Sequence, residues 1–172
     1  TTAVIAAARW DGVFHFAALS LVGASIAEPF YNLRQNYLTG LNLVQTCAEQ
    51  GVKKFVFSST AALFGGPERP DPIPETAVIQ PGSPYGESKF LIERALRWAD
   101  SLYGAKSACL RYFNAAGADP LGRAGENPRP QSLLIPLPLD PALGRRPALI
   151  LFGPGYPTRA RSLYLVSIHV NT

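Results

Sequence analysis

Short apolar runs alternate along the chain with longer stretches of helical periodicity. The first run, Gly12-Val13-Phe14-His15-Phe16-Ala17-Ala18, predicts a short buried strand. Pro29 can open a helix over residues 29–50, and Gly51 can stop it. Within it Leu33, Tyr37, Leu41, Val44 and Ala48 recur every three or four positions, which gives one apolar stripe. Residues 53–58, centred on Phe55-Val56-Phe57, predict a second strand. A loop rich in Gly and Pro fills residues 65–84. Residues 85–103 carry the clearest helical pattern, with Ile92, Ala95, Leu96, Ala99 and Leu102 on its apolar face and Gly104 as its cap. A third strand is expected over 106–113, where Ala108, Leu110 and Tyr112 alternate with Ser107, Cys109 and Arg111. Residues 117–130 read as loop, and 148–152 as a last short strand.

Strand, helix, strand, helix, strand in this order implies an α/β fold with a parallel sheet, helices on its faces and right-handed crossovers. Ligands of such sheets bind at the carboxyl ends of the strands. Ala17-Ala18, Ser59-Thr60 and Asn114 fall at those ends.

Composition narrows the field. A length of 172 residues suits one domain. Apolar residues make up 47% and charged residues 16%, a globular balance rather than a disordered one. The net charge is +4, but the basic residues are scattered, which argues against a nucleic-acid partner. Cys47 and Cys109 form no C-x-x-C pair and read as buried thiols of a reducing compartment. His15 and His169 are too few for a metal site. The apolar opening at residues 3–8 is too short to span a membrane, so the cytoplasm is the expected location. The absence of methionine and the start at Thr1 predict a processed product or a fragment.

The candidate chemistry is a split constellation. Ser58-Ser59-Thr60 closes the second strand, and Tyr85-Gly86-Glu87-Ser88-Lys89 opens the clearest helix. Tyr85 and Lys89, four apart, share a helix face. A nearby ammonium favours the phenolate, lowering the phenol from its usual pKa of about 10 and making Tyr85 a usable general base. The spacing alone arises easily by chance. Its place at a helix start, after a strand-end hydroxyl cluster, gives it weight. Thr60 can bond a reacting hydroxyl or merely cap a turn. Asn114 can hold a polar ligand or make an Asx turn.

Together these residues resemble the UDP-glucose 4-epimerase family of extended short-chain dehydrogenases/reductases. The resemblance rests on His15-Phe16-Ala17-Ala18, Asn36, Ser58-Ser59-Thr60-Ala61, Tyr85-Gly86-Glu87-Ser88-Lys89 and Leu134-Ile135-Pro136, and above all on the run from Arg111-Tyr112-Phe113-Asn114 to Asp119-Pro120. It covers almost the whole chain. It implies a Rossmann-like doubly wound parallel sheet, NAD as a bound cofactor, a UDP-sugar substrate and a homodimer. Tyr85 would take the proton of the sugar 4-hydroxyl, Thr60 would bond that hydroxyl, and Lys89 would hold the nicotinamide ribose. A 4-keto sugar would link UDP-glucose and UDP-galactose. By the same resemblance Phe16, Ala17, Ala18, Asn36, Ser58, Tyr85, Lys89 and Phe113 would meet NAD. Thr60, Tyr85, Asn114, Leu134, Ile150, Leu151 and Phe152 would meet the UDP-sugar. Related dehydratases usually carry an Asp-Glu pair after the Thr, where this chain has Ala61-Ala62. Another UDP-sugar epimerase, a decarboxylase or a non-catalytic remnant are the alternative readings.

The chain also departs from the family. No G-x-x-G-x-x-G or G-x-G-x-x-G turn occurs in it, so the N-terminal Gly-rich βαβ unit is not represented. Residues 1–131 are expected to belong to the NAD-binding domain, and 132–172 to begin the substrate-binding region. A partial sheet predicts exposed strand edges and an uncovered apolar face. The missing turn predicts weak NAD binding by the chain alone. Ser20, Leu133 and Leu165 replace usual polar contacts. Pro138 and Pro141 fall where the family has a helix, and each is expected to remove a hydrogen bond.

Overall fold

The first unit, Thr1–Tyr112, opens with a short helix α1 (Thr2–Ala6) and a strand β1 (Val13–His15). Helices α2 (Val22–Ala27) and α3 (Pro29–Leu33) follow. A π-helical turn, Arg34–Leu38, leads into α4 (Thr39–Glu49). Next come β2 (Lys54–Ser58), a 3-10 turn (Ala61–Phe64), α5 (Pro84–Tyr103) and β3 (Lys106–Leu110). The computed structural model describes residues 2–65, 72–125, 134–148 and 167–170.

The three strands are parallel in the order β1-β2-β3. Their register aligns Phe14 with Val56 and Ala108, and His15 with Phe57 and Cys109. Successive residues of a strand face opposite ways. One face therefore carries Val13, His15, Phe55, Phe57 and Cys109, and it packs against Val44, Cys47, Ile92, Leu96 and Ala99 of α4 and α5. The other face carries Phe14 (72% exposed) and Leu110 (43% exposed). An uncovered apolar face was expected of this chain, and among the described residues the sheet has one.

Helix α5 forms where the pattern predicts it. The Ser83 hydroxyl caps it by accepting Gly86 N at 3.2 Å, and Pro84 takes the first turn. Gly104, at φ 66°, closes it in the left-handed region. Of the predicted apolar face, Ile92, Leu96 and Ala99 are buried, whereas Leu102 is exposed. The 29–50 helix is continuous but not uniform. Of the predicted stripe Val44 and Ala48 are buried, whereas Leu33, Tyr37 and Leu41 are half-buried and Asn32, Asn36 and Gly40 take the buried positions around the π-helical turn.

The third strand is shorter than expected. It ends at Leu110, leaving Tyr112 outside it. Its core-facing residue is Cys109, while Ala108 and Leu110 are exposed.

The second unit, Phe113–Thr172, contains β4 (Asn114–Ala116), α6 (Pro136–Ala142) and β5 (Ser167–His169). Within it β4 pairs in parallel with β5. Gly117 follows β4 at φ 99°, where a Cβ would lie 2.5 Å from the His169 ring. Helix α6 contains both prolines that were expected to oppose it. Pro136 opens the helix, and Pro138 lies in its first turn, where backbone N–H groups have no helical partner. Pro138 therefore costs no hydrogen bond. Pro141 does lie in the helix interior. The strand expected over 148–152 lies outside the described residues save for Ala148.

Among the described residues no helix is long and apolar enough to cross a membrane.

Candidate active site

Strand β2 delivers Ser58, Ser59 and Thr60 to its carboxyl end. The Ser59 amide turns back onto the Phe57 carbonyl at 2.9 Å, which halts the strand. Thr60 caps the 3-10 turn, its Oγ1 accepting Ala62 N at 3.1 Å. The capping and functional readings of Thr60 are compatible, since a hydroxyl keeps its own proton to donate.

The first turn of α5 lies hard against this segment. A Cβ on Gly86 would sit 2.7 Å from the Ala62 carbonyl oxygen. The close approach brings the Tyr85 phenol beside Thr60. Burial raises the phenol above its usual value; Thr60 opposes this by hydrogen bonding, and Tyr112 adds to it. The expectation that Lys89 lowers the phenol is not met. The Lys89 ammonium instead donates to the Ser58 carbonyl at 2.8 Å and lies 4.9 Å from the Phe57 ring centroid and 5.8 Å from that of Tyr85. Lys89 is 2% exposed, and desolvation brings its own pKa down to about 8.

Two neighbours were not singled out as site residues. Tyr112 hydrogen-bonds the Ser58 hydroxyl through its phenol, and its carbonyl accepts Ala61 N at 3.1 Å. Its place in the Arg111-Tyr112-Phe113-Asn114 run was the available signal. His15, considered only as a metal ligand, is buried and stacks on Phe57 at 5.6 Å. Its pKa is lowered, first by burial and then by the Lys89 charge.

The β1 end forms a second wall. Phe16, Ala17 and Ala18 are exposed there. Asn36 is buried and acts through its neighbours. Its Oδ1 accepts Leu19 N at 2.8 Å. Its Nδ2 lies 3.0 Å from Leu19 O, 3.3 Å from Asn32 Oδ1 and 3.3 Å from Ser88 Oγ. Ser88 in turn donates to the Tyr85 carbonyl at 2.7 Å, and Ser25 Oγ accepts Tyr85 N at 3.3 Å. Asn36 thus ties the loop after β1 to the helix that carries Tyr85 and Lys89.

The other predicted site residues fall in the second unit or outside the described residues. Phe113 and Asn114 belong to the second unit, where Asn114 pairs with Ser167. Leu134 is exposed just before α6. Ile150, Leu151 and Phe152 are outside the described residues, as are Leu133 and Leu165.

A half-buried phenol thus stands with a buried hydroxyl and a buried ammonium at the carboxyl edge of a parallel sheet. The family model for the NAD dependent epimerase/dehydratase family matches residues 1–161. The chain belongs to the NAD dependent epimerase/dehydratase family. Within this family it is 47% identical over 160 residues to a UDP-glucose 4-epimerase of Halalkalibacterium halodurans, a match spanning 93% of this chain and 48% of that protein. A crystal structure of a UDP-glucose 4-epimerase superposes with a TM-score of 0.90 at 40% identity, covering 98% of this chain and 51% of that one. The Bifidobacterium longum UDP-glucose 4-epimerase, solved with NAD+ and UDP, superposes with a TM-score of 0.89 at 34% identity, covering 98% and 51%. The chain spans about half the length of the curated relatives it matches. These neighbours establish the Rossmann-like fold expected from the sequence.

Proposed function

We propose that the protein to which this chain belongs interconverts UDP-glucose and UDP-galactose with bound NAD. One observation carries the reading: at the sheet edge the Tyr85 phenol hydrogen-bonds Thr60, and the desolvated Lys89 ammonium lies 5.8 Å from the centroid of the same ring. Bound NAD supplies the acceptor and donor of hydride at C4 of the sugar.

The residues present fit the nicotinamide half of that cofactor. The Lys89 ammonium has three donors, and among the described residues Ser58 O is the acceptor hydrogen-bonded to it. A cation this buried favours further acceptors such as ribose hydroxyls. Phe16, Ala17 and Ala18 offer an apolar wall for the ring, and Asn36 holds the loop that follows them at Leu19. Phe113, and Ser58 beside Tyr112, complete the proposed contacts.

Tyr85 moves the proton. As found, its phenol is protonated at neutral pH, which suits returning a proton to C4 oxygen. Accepting one requires the Lys89 charge to act on the phenol, and the two groups share a helix face. Thr60 holds the reacting hydroxyl by donating or accepting. Asn114, Leu134 and the 150–152 segment are proposed to bind the UDP-sugar. Ala61 and Ala62 place no acid beside Thr60, which favours epimerisation over loss of water. A homodimer is part of the same proposal; the exposed Trp98, Leu102 and Tyr103 of α5 support it, and sedimentation equilibrium tests it.

The direct test is a chimera that joins this chain to the parts of the Halalkalibacterium halodurans enzyme outside the match. Conversion of UDP-galactose to UDP-glucose supports the proposal. A soluble, NAD-bound chimera without that activity favours a non-catalytic remnant.

A further inference from the structure

One ion pair behind the site, between buried Glu93 and half-buried Arg111, is unused by the chemistry above. Glu93 is 3% exposed, and Ser59 is 1% exposed. Glu93 Oε1 accepts from Ser59 Oγ at 2.6 Å and from Arg111 Nε at 3.0 Å, while Oε2 accepts from Arg111 Nη2 at 2.6 Å. The guanidinium thus grips the carboxylate with two bonds and lies 5.6 Å from the Phe64 ring centroid. A largely buried pair of this kind is a poor device for stability, because apolar residues of similar volume often serve as well or better. Its value here is geometric.

Tyr85, Lys89 and Glu93 stand at four-residue intervals on α5 and therefore share one face. They address consecutive residues at the end of β2. Lys89 holds the Ser58 carbonyl, Glu93 holds the Ser59 hydroxyl, and Tyr85 meets Thr60. On the far side of Thr60, Ala61 N is held by the Tyr112 carbonyl. Thr60 is thus flanked by two anchored neighbours. We propose that Glu93, braced by Arg111, is a positioning residue that fixes Thr60 against the Tyr85 phenol through Ser59. Its catalytic meaning rests on the proposed roles of Thr60 and Tyr85.

Ring-labelled tyrosine NMR of the 172-residue chain through alkaline pH tests this, with Tyr85→Phe assigning the Tyr85 signal. Thr60 favours the phenolate, so Thr60→Val moves the Tyr85 titration upward. Releasing Thr60 through Ser59→Ala or Glu93→Gln is expected to move it upward by at least half as much. A purely electrostatic role for Glu93 has the opposite sign, since removing a negative charge eases phenol ionisation. Arg111→Lys keeps the charge but loses the two-point grip, and shifts the titration in the same upward direction. Ser59→Ala changes no charge and leaves the Glu93–Arg111 pair intact, so it decides the matter if the Glu93 variant does not fold. An upward shift of half the Thr60→Val value or more in Ser59→Ala supports the proposal; a smaller, absent or downward shift overturns it. The titration reads the phenol and not turnover, so an inactive chimera and an unmoved titration are separate failures.

Discussion

The Lys89 ammonium donates to the Ser58 carbonyl at 2.8 Å, tying the second turn of α5 to the end of β2. This bond explains how a cation can sit 2% exposed behind a phenol. It also has a consequence for stability. Desolvation lowers the folded-state pKa of Lys89 to about 8, below the unfolded value. The cost of burying the charge is then fully present below about pH 8 and is relieved as pH rises toward the unfolded value. Compared with Lys89→Met, the wild type should gain stability between pH 8 and 10, read by urea denaturation at several pH values. A constant difference across that range would remove the account of Lys89.

Gly86→Ala should be costly for a different reason. Its Cβ would meet the Ala62 carbonyl at 2.7 Å, a backbone atom that cannot swing aside. Overpacking of this kind costs about 1–3 kcal/mol. Thermal denaturation should show the loss. The same shift moves Tyr85 away from Thr60, so any activity should fall as well.

Asn36→Ala removes the acceptor and donor that hold both backbone groups of Leu19. It also strips Asn36 from Asn32 and Ser88, which are buried, and leaving buried polar groups unsatisfied costs about 1–3 kcal/mol. Hydrogen exchange should show Leu19 losing protection while the β2 amides keep theirs. Equal loss across the first unit would mean that Asn36 supports the whole unit rather than the β1 loop.

The chain by itself should bind NAD weakly, since it contains no Gly-rich turn to cradle a pyrophosphate. Calorimetry on the 172-residue chain checks this, and micromolar affinity would contradict it.

Helix α5 was legible in the sequence because its apolar spacing and Gly104 stop signal agree. Strand β2 was legible because Phe55-Val56-Phe57 is a short apolar run between polar flanks. The face of the 29–50 helix was legible only at its C-terminal end, where Val44 and Ala48 are buried. Towards its N-terminus the buried residues include Asn32 and Asn36, which an apolar stripe does not reveal, and a π-helical turn interrupts the spacing. In β3 the alternation of Ala108, Leu110 and Tyr112 with Ser107, Cys109 and Arg111 left the core-facing side open, and Cys109, read as a buried thiol, is the residue that meets the core. Strands β4 and β5 pair across a long stretch of sequence and leave no local signal. At the site, spacing brought Tyr85 and Lys89 to one face but said nothing of direction, and the ammonium turned to Ser58. Glu93 lay one turn further along the same face and reads in sequence as an ordinary surface acid.

Tyr85 is proposed to move the proton at the reacting hydroxyl. Comparing UDP-galactose turnover by the chimera with and without Tyr85→Phe tests it most directly, with NAD content measured in both. Loss of a positioned acid–base group typically costs about 10²–10⁴-fold in rate. The account predicts a loss of that order with NAD retained; a Tyr85→Phe chimera that turns over at the wild-type rate would contradict it.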